Sequence, residues 1–400
     1  MAIKPHFEYS SKKDMIVGFV DNGKKRVKRI ADHALVFMIR GITKNYKQPI
    51  SYTFCCTATE KHELAQAIKD HIRKLKSSGF HVIATVCDQG SSNMSAINAL
   101  IAETKHRNTH STRYVFEVDG DEVIPLYDPP HLIKNIRNNL MTKNLTCSID
   151  NENKTAKWEH IVKLYEENPA YKGIRLMPKL TELHVDPKKM PKMKVKYATQ
   201  LLSSSVAVNM GYLAEKGILD PSSKETADVI LFFDELFDSV NGGFMNEKKR
   251  PGKDLLGPLT PKSSHQSVWT KSKEVLKTMK FVTPQGHRKS HVSTVPNWLR
   301  TLENLEYLKD LLFQKHEIKS IWLRHFNQDP LENFFGCVRS HGARSNNPTC
   351  VHFEVAFAAL LINNLNSLHS PGYNCEKDQG RGFNCLSFSY ITGVRTRINY

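Results

Sequence analysis

What the chain lacks narrows it first. No C-x-x-C occurs among its eight cysteines, and Cys55-Cys56 is the only close pair. Neither a zinc knuckle nor a disulfide framework is expected, and the usage reads as that of a reducing compartment. No apolar run reaches the roughly 18 residues of a membrane span, so no membrane partner is expected. The opening Met1-Ala2-Ile3-Lys4-Pro5-His6 is not a signal peptide. There is no internal repeat, no heptad run and no G-x-x-x-x-G-K-[ST], so nothing local announces a nucleotide. Negative charge is the scarce sign: 40 Asp+Glu stand against 57 Lys+Arg, a formal charge of +17. A balance this basic favours a polyanionic partner, usually nucleic acid. With 400 residues, 40% of them hydrophobic, the chain can bury a sizeable core in two or three domains.

Periodicity divides what is present. Residues 1–13 are a polar lead-in. Met15–Val20, Ala34–Ile39 and Ile50–Cys55 read as three strands joined by short polar loops, an antiparallel meander. The period then changes. Leu64, Ile68, Ile72 and Leu75 give an amphipathic helix from about Lys61 to Ser78, ended by Gly79. His81–Cys87 is a fourth, buried strand, followed by a helix from about Met94 to Thr104. Val123–Tyr127 is a fifth strand. Asp128 then caps a helix opened by Pro129-Pro130 and carried by Leu132, Ile133, Ile136 and Leu140. A meander followed by a right-handed helical crossover predicts a mixed sheet with one parallel pair. Residues 141–285 read as a mostly helical insertion, with helices over Lys196–Leu213 and Lys224–Asn241. The sheet domain, first spanning 14–140, resumes over 286–369, and 370–400 is a poorly patterned tail. The fold class is therefore α/β, a mixed sheet interrupted by a helical insertion.

Three carboxylates stand out against this frame. Asp21 and Asp88 end the first and fourth strands, where open α/β sheets place their chemistry. Glu332 lies in Asp329-Pro330-Leu331-Glu332-Asn333-Phe334-Phe335. There Pro330 suits a first helical turn and Asp329 its N-cap, and the two acids share one face. If the first and fourth strands are neighbours, Asp21 and Asp88 sit side by side. Three such acids in this order match the ligand set of an RNase H-like two-metal site, with hard oxygens suited to Mg²⁺ or Mn²⁺ and not zinc. A lone strand-end aspartate is more often a turn or cap residue; the order of the three reverses that reading. His131, Lys134 and Asn138 share one face of the Asp128 helix, with Arg137 beside them. They are candidates to meet DNA phosphates, and a solvated face is the alternative. His106 with His110, and His287 with His291, have helical metal-ligand spacing but no cysteine partner, so no zinc site is expected.

The stretches Cys87-Asp88-Gln89-Gly90-Ser91-Ser92-Asn93, Tyr127-Asp128-Pro129-Pro130-His131-Leu132 and Asp329–Gly336 with Asn346-Asn347-Pro348-Thr349 resemble the P-element transposase family. That family includes host-domesticated relatives with a THAP zinc finger. The resemblance runs from about residue 14 to 365. It implies an RNase H-like catalytic domain interrupted by a GTP-binding insertion, with Asp21, Asp88 and Glu332 as the acidic triad. It implies GTP as a cofactor for DNA assembly, lined by Lys179, Lys194, Val195, Ser203, Asp238 and Asp329. A carboxylate at Asp238 can accept from both N1–H and the exocyclic amine of guanine; Asp234, one turn away, is the rival assignment. The partners implied are transposon ends and target DNA and, when complete, further copies of the chain, in a nucleus. No zinc finger or leucine-rich helix precedes the first strand, and the chain stops short of the family's C-terminal DNA-contacting region. Site-specific end recognition is thus expected to be missing. Two functions stay open: a DNA-cutting and strand-joining core, and a domesticated remnant that binds nucleic acid or protein without cutting. A GTP-binding regulatory module is a third.

Overall fold

The computed structural model describes the chain apart from residues 12, 45, 58, 109–112, 169–174, 244–252, 286–288, 291, 343–344, 363–380 and 383–400. His110, His287, His291 and nearly all of the tail from 370 lie outside the described residues. In chain order the strands β1 (Glu8–Ser10), β2 (Met15–Val17), β3 (Phe19–Asp21), β4 (Arg26–Ile30), β5 (His33–Arg40) and β6 (Tyr46–Cys55) come first. There follow α1 (Lys61–Ser77), β7 (Ala84–Cys87), α2 (Ser91–Arg107), β8 (Phe116–Val118), β9 (Asp121–Tyr127) and α3 (Pro129–Leu140). The middle holds β10 (Asn144–Ile149), β11 (Glu152–Ala156), α4 (Trp158–Glu166), α5 (Glu182–Val185), α6 (Val195–Leu201), α7 (Ser204–Glu215) and α8 (Ser223–Val240). Last come α9 (His265–Thr278), β12 (Lys280–Val282), β13 (Lys289–Ser290), α10 (Thr294–Asp310), α11 (Asp329–Ser340) and α12 (Cys350–Ile362).

The chain divides into two compact units. The first draws on Met1–Ile83, Gly90–Val123 and Gln328–Tyr400, the second on Ala84–Gln89 and Ile124–Asn327. The first is built on a five-stranded sheet whose antiparallel ladders run β5-β6-β3-β4; a two-residue strand, Arg381–Gly382, adds a parallel pairing to the start of β6. Alternation along β5 and β6 gives this sheet two covered faces. On one, Val36 and Phe54 are buried with Phe334, Phe353 and Phe357 of α11 and α12, and the Tyr52 and Phe357 rings lie 4.7 Å apart. Each such aromatic contributes about 1.5–3 kcal/mol by leaving water. On the other face Phe37 stacks on His71 of α1, ring centres 4.2 Å apart. Helix α1 in turn pairs with α2 through Lys69 and Glu103, 3.0 Å apart. As the sequence indicates, α1 ends at a left-handed glycine, Gly79, with φ +83°, and the following Phe80 N–H caps the Leu75 carbonyl at 2.9 Å.

The second unit holds the parallel pair. β7 runs parallel to β9 with Cys87 opposite Tyr127, while the first half of β9 pairs antiparallel with β8 in the first unit. Helix α8 is the core element here: Ile230, Phe233 and Leu236 are fully buried. Behind it, the buried Trp269 indole donates to Ser239 Oγ at 3.1 Å.

Four features depart from the sequence reading. The first predicted strand is split into β2 and β3 by Gly18. A sheet-edge hairpin partner, β4, was not foreseen. The stretch 141–285 is not helical throughout: β10, β11 and β12, with β13, form an antiparallel sheet in the order β11-β10-β12-β13. Asn144–Ile149 alternates polar and apolar residues, which is the signal that could have revealed it. Finally, the ladders pair β3 with β4 and β6, and β7 with β9. Pairing of the first and fourth predicted strands is not among those described.

Gly18 is held at φ +120°, and a β-carbon there would lie 2.1 Å from the His6 carbonyl oxygen. That is backbone, which cannot swing aside. Gly18→Ala should therefore cost more than about 2 kcal/mol, in the upper part of the range usual for backbone strain. Denaturant unfolding of the purified variant measures it, and a loss below about 0.5 kcal/mol contradicts the geometry.

Candidate functional site

The carboxyl edge of the β7–β9 pair carries a set of anchored polar groups. The Asp128 N–H donates to the Cys87 carbonyl at 2.9 Å, closing the ladder where both strands end. Asp128 then caps α3 as expected: its Oδ2 accepts from the His131 N–H at 2.9 Å and lies 2.5 Å from His131 Nδ1. At 1% exposure it is a buried carboxylate, so these bonds offset its loss of water. Asp88, half-buried, follows Cys87 directly. The next residue is tied down from two helices. Gln89 Oε1 accepts from Asn135 of α3 at 2.6 Å and from Thr294 of α10 at 3.4 Å. Loss of water, with the charges of Asp88 and Asp128, pushes the Cys87 thiol well above its ordinary range. It is inert as a nucleophile there.

Asp21 and Glu332 belong to the first unit, Asp88 to the second. Asp21 ends β3, opposite Arg26 and Phe54 in the ladders, and its Oδ1 accepts from the Gly23 N–H at 2.8 Å in an Asx turn. Glu332 sits half-buried in the first turn of α11, whose Phe334, Phe335 and Val338 are in the core. Asp329 is not the cap expected of it. Gln328 takes that place, and Asp329 and Pro330 are the first two helical residues, both buried. Pro330 with φ fixed near −65° suits either of the first positions, so the sequence left the cap one residue ambiguous. Among the described residues no three His, Cys, Asp or Glu are grouped to hold a metal ion.

The expected nucleotide residues also fall on both units: Lys179, Lys194, Val195, Ser203 and Asp238 on the second, Asp329 on the first. Lys179 is exposed in the turn before Thr181. Lys194 and Val195 are the N-cap and first residue of α6, and Ser203 is the N-cap of α7. The helix predicted over Lys196–Leu213 is thus two helices. The break comes at Leu202-Ser203, and Ser203 Oγ donates to the Gln200 carbonyl at 2.9 Å. Three consecutive serines at 203–205 were the missed signal, since Ser favours caps over helix interiors. On α8, Asp234 and Asp238 share one cation: Lys253 Nζ lies 2.5 Å from Asp234 Oδ2 and 2.7 Å from Asp238 Oδ2. Burial pulls the Lys253 ammonium down, but the two carboxylates more than reverse it.

The helix face proposed to meet DNA is mostly not solvated. Lys134 and Arg137 are 4% and 0% exposed. Arg137 donates from Nε to Asn138 Oδ1 and from Nη2 to the Lys192 carbonyl, both at 2.8 Å. Burial alone draws its guanidinium down to about 10. As placed, Arg137 pins the lysine-rich segment before α6 onto α3 and does not offer itself to a phosphate. Its helical neighbours Ile133 and Leu140 place it at i+4 and i−3 of the apolar stripe; only its charge made it look exposed. His184, unremarked in the sequence, does a related job. Its Nδ1 accepts from the Thr181 N–H at 3.1 Å while Nε2 faces Gln200 Oε1 at 3.0 Å. One imidazole thus ties the turn after Lys179 to α6.

Comparison with known proteins places this geometry. Three family models match in succession: the TNP-like RNase H N-terminal domain over residues 1–101, the TNP-like GTP-binding insertion domain over 130–252, and the TNP-like RNase H C-terminal domain over 325–358. The Transposable element P transposase of Drosophila melanogaster is 25% identical over 395 residues, 97% of this chain and 48% of that protein. The chain belongs to the P-element transposase family. Its fold is accordingly RNase H-like, mixed α/β and interrupted by an insertion domain. Human DNA transposase THAP9 is 26% identical over 379 residues, 90% of this chain and 40% of that protein. The chain therefore spans about half the length, or less, of the curated relatives it matches. In three dimensions it resembles the Drosophila P element transposase strand transfer complex with a TM-score of 0.70 at 21% identity, over 90% of this chain and 74% of that one. No described helix is long and apolar enough to cross a membrane.

Burial holds three imidazoles of the second unit neutral. His160, His184 and His265 are all pushed below the ordinary histidine value, chiefly by loss of water. A depressed folded value means that the unfolded chain takes up protons first. Stability from these groups is full above about pH 6.5, the unfolded value, and is lost as pH falls below it. The thermal midpoint should thus drop between pH 7.5 and 5.5, before most carboxylates titrate. Replacing His184 and His265 by Gln should flatten that drop. An unchanged pH profile in the double variant would show that these histidines are not its source.

Proposed function

We propose that this chain is the catalytic core of a P-element-type transposase, cutting DNA and joining strands with GTP as an assembly cofactor. The observation that carries the reading is the carboxyl edge of β7–β9, where Asp88 leaves a buried strand and the residue after it is fastened by two helices. Under this reading Asp21, Asp88 and Glu332 would hold Mg²⁺ or Mn²⁺; three hard carboxylate donors fit such ions. When bound, the metal supplies activation of the attacking oxygen and neutralises charge at the leaving one. The chain's own part is to present the carboxylates. Asp128 and Gln89 fix the turn that bears Asp88, the Gly23 N–H fixes Asp21, and the buried Phe334–Phe335 pair fixes the turn that bears Glu332. We take residues 14–140 and 286–369 as the two parts of the catalytic domain and 141–285 as the insertion. The partners are duplex DNA and, in the complete assembly, further copies of the chain; acting on chromosomal DNA makes it nuclear.

One observation favours a second reading. Asp88 is carried by a different unit from Asp21 and Glu332. A remnant that binds DNA or protein without cutting needs no convergence of the three. Strand transfer of precut transposon ends in Mg²⁺ or Mn²⁺ separates the two. Asp88→Asn and Glu332→Gln should each reduce it at least a hundredfold with the unfolding midpoint unchanged, about 2.7 kcal/mol in barrier. Metal-independent activity, or full activity in either variant, removes the triad. No transfer by the wild-type chain under any metal supports the non-cutting remnant.

For the insertion we propose that Lys179 contacts the phosphates, that Lys194, Val195 and Ser203 line the nucleotide site, and that Asp238 reads guanine, with Asp329 as a further contact. Asp238→Asn should weaken GTP and strengthen xanthosine triphosphate at least tenfold each, about 1.4 kcal/mol, by equilibrium titration. Should Asp234→Asn give that switch instead, the base reader lies one helical turn earlier. Binding of neither nucleotide to the wild type would remove the cofactor role.

A further inference from the structure

We infer that the β3–β4 hairpin is a docking edge for the sugar-phosphate backbone of duplex DNA, a surface distinct from the helix face considered above. The inference rests on the DNA reading of the core and names where the duplex lies against it.

Between Asp21 and Asp32 the chain carries no carboxylate, yet five of the six residues from Lys24 to Arg29 are cationic: Lys24, Lys25, Arg26, Lys28 and Arg29. All five are exposed. Lys24 pairs with Asp70 at 3.0 Å, and Arg26 lies over the Phe19 ring, 4.6 Å from its centre. Lys25, Lys28 and Arg29 have no acidic partner among the described residues. β4 is the outermost strand in the order β5-β6-β3-β4. The ladder pairs Arg26 with Asp21 and Val27 with Val20, then shifts to pair Ile30 with Phe19, so Lys28 and Arg29 lie in an irregularity of this edge strand that breaks simple alternation. Cations strung along an exposed edge ribbon suit a rail of phosphates better than a single anion. Arg26 stands opposite Asp21 in the ladder, so a backbone lying along β4 runs beside a proposed catalytic carboxylate.

Edge protection is the competing account. Lysines on an outer strand discourage pairing with another chain, but one or two suffice. Five cations in six positions, of which only Lys24 is paired with a carboxylate among the described residues, repel one another and lower stability. Such a cost is retained where a polyanion relieves it.

The test uses the whole chain and two charge-matched triple variants in the same unit. Lys25→Glu/Lys28→Glu/Arg29→Glu alters the hairpin. Lys61→Glu/Lys74→Glu/Lys105→Glu alters exposed lysines of α1 and α2 by the same net charge. Binding to a mixed-sequence duplex is measured by fluorescence anisotropy across salt concentrations. The hairpin variant should lose at least tenfold in affinity at 0.1 M salt. Its slope of log K against log salt should become shallower by about 2–3, since each lost phosphate contact removes about 0.9. The control should change less than threefold. The hairpin variant should unfold at the same denaturant concentration as wild type or higher. Equal losses in both variants would mean that net charge alone matters and would overturn the inference, as would no loss in the hairpin variant. A wild-type chain that binds no duplex at low salt overturns the DNA reading together with this one. Binding through the hairpin without strand transfer leaves the inference standing and removes only the cutting activity.

Discussion

The second unit depends on what happens where β7 and β9 end together. Parallel strands cannot be joined by a tight turn, so their shared end needs closing from outside the ladder. Asp128 supplies that closure with its backbone N–H and starts α3 with its side chain. The same carboxylate orients His131. Removing the carboxylate would leave the α3 N-terminus and one imidazole without their partner at once, and buried groups left without partners are costly. Asp88 and Gln89 inherit their position from this junction, which is why a residue with no proposed chemical role governs those that have one.

Much of this was legible in the sequence because it followed from local rules. Pro129-Pro130 after Asp128 marked a helix start; Gly79 marked a helix end; alternation marked β6, and short apolar runs marked β5 and β9. What was missed was decided by tertiary contact. Arg137 and Lys134 carry charge, so sequence put them in water, but the structure buries them. Arg137 reaches the Lys192 carbonyl, 55 residues on, and no local pattern encodes that. Lys253 follows Pro251-Gly252, a dipeptide that signals only a turn, yet it is the cation shared by Asp234 and Asp238. Sequence offered both aspartates as guanine readers. A single lysine bound to both keeps that choice open, because whichever acid reads a base must give up part of a partly buried ion pair.

The insertion shows a related economy. Lys194 and Ser203 begin successive helices, α6 and α7, and each leaves backbone N–H groups without partners within its own helix. His184 and Arg137 hold the segments leading into α6 by neutral imidazole and buried guanidinium respectively. The first of these supports depends on a proton being absent, the second on a proton still held at neutral and acid pH. Acid therefore loosens one side of α6 and leaves the other in place.

The order in which the chain leaves the ribosome gives the first unit a particular difficulty. Four of the five strands of its sheet are made by Cys55, but the face formed by Val36, Tyr52 and Phe54 is covered by α11 and α12, which begin only at Asp329. At synthesis rates of about 5–20 residues per second, the roughly 270 residues between take on the order of 15–55 s to appear. For that interval a flat aromatic surface lacks its own cover. A nascent chain in this condition is a client for a holdase, and two such chains on one message could exchange their α11–α12 hairpins. The discontinuity that lets a carboxylate-bearing helix return to the sheet thus makes vectorial synthesis the most exposed moment in the protein's life.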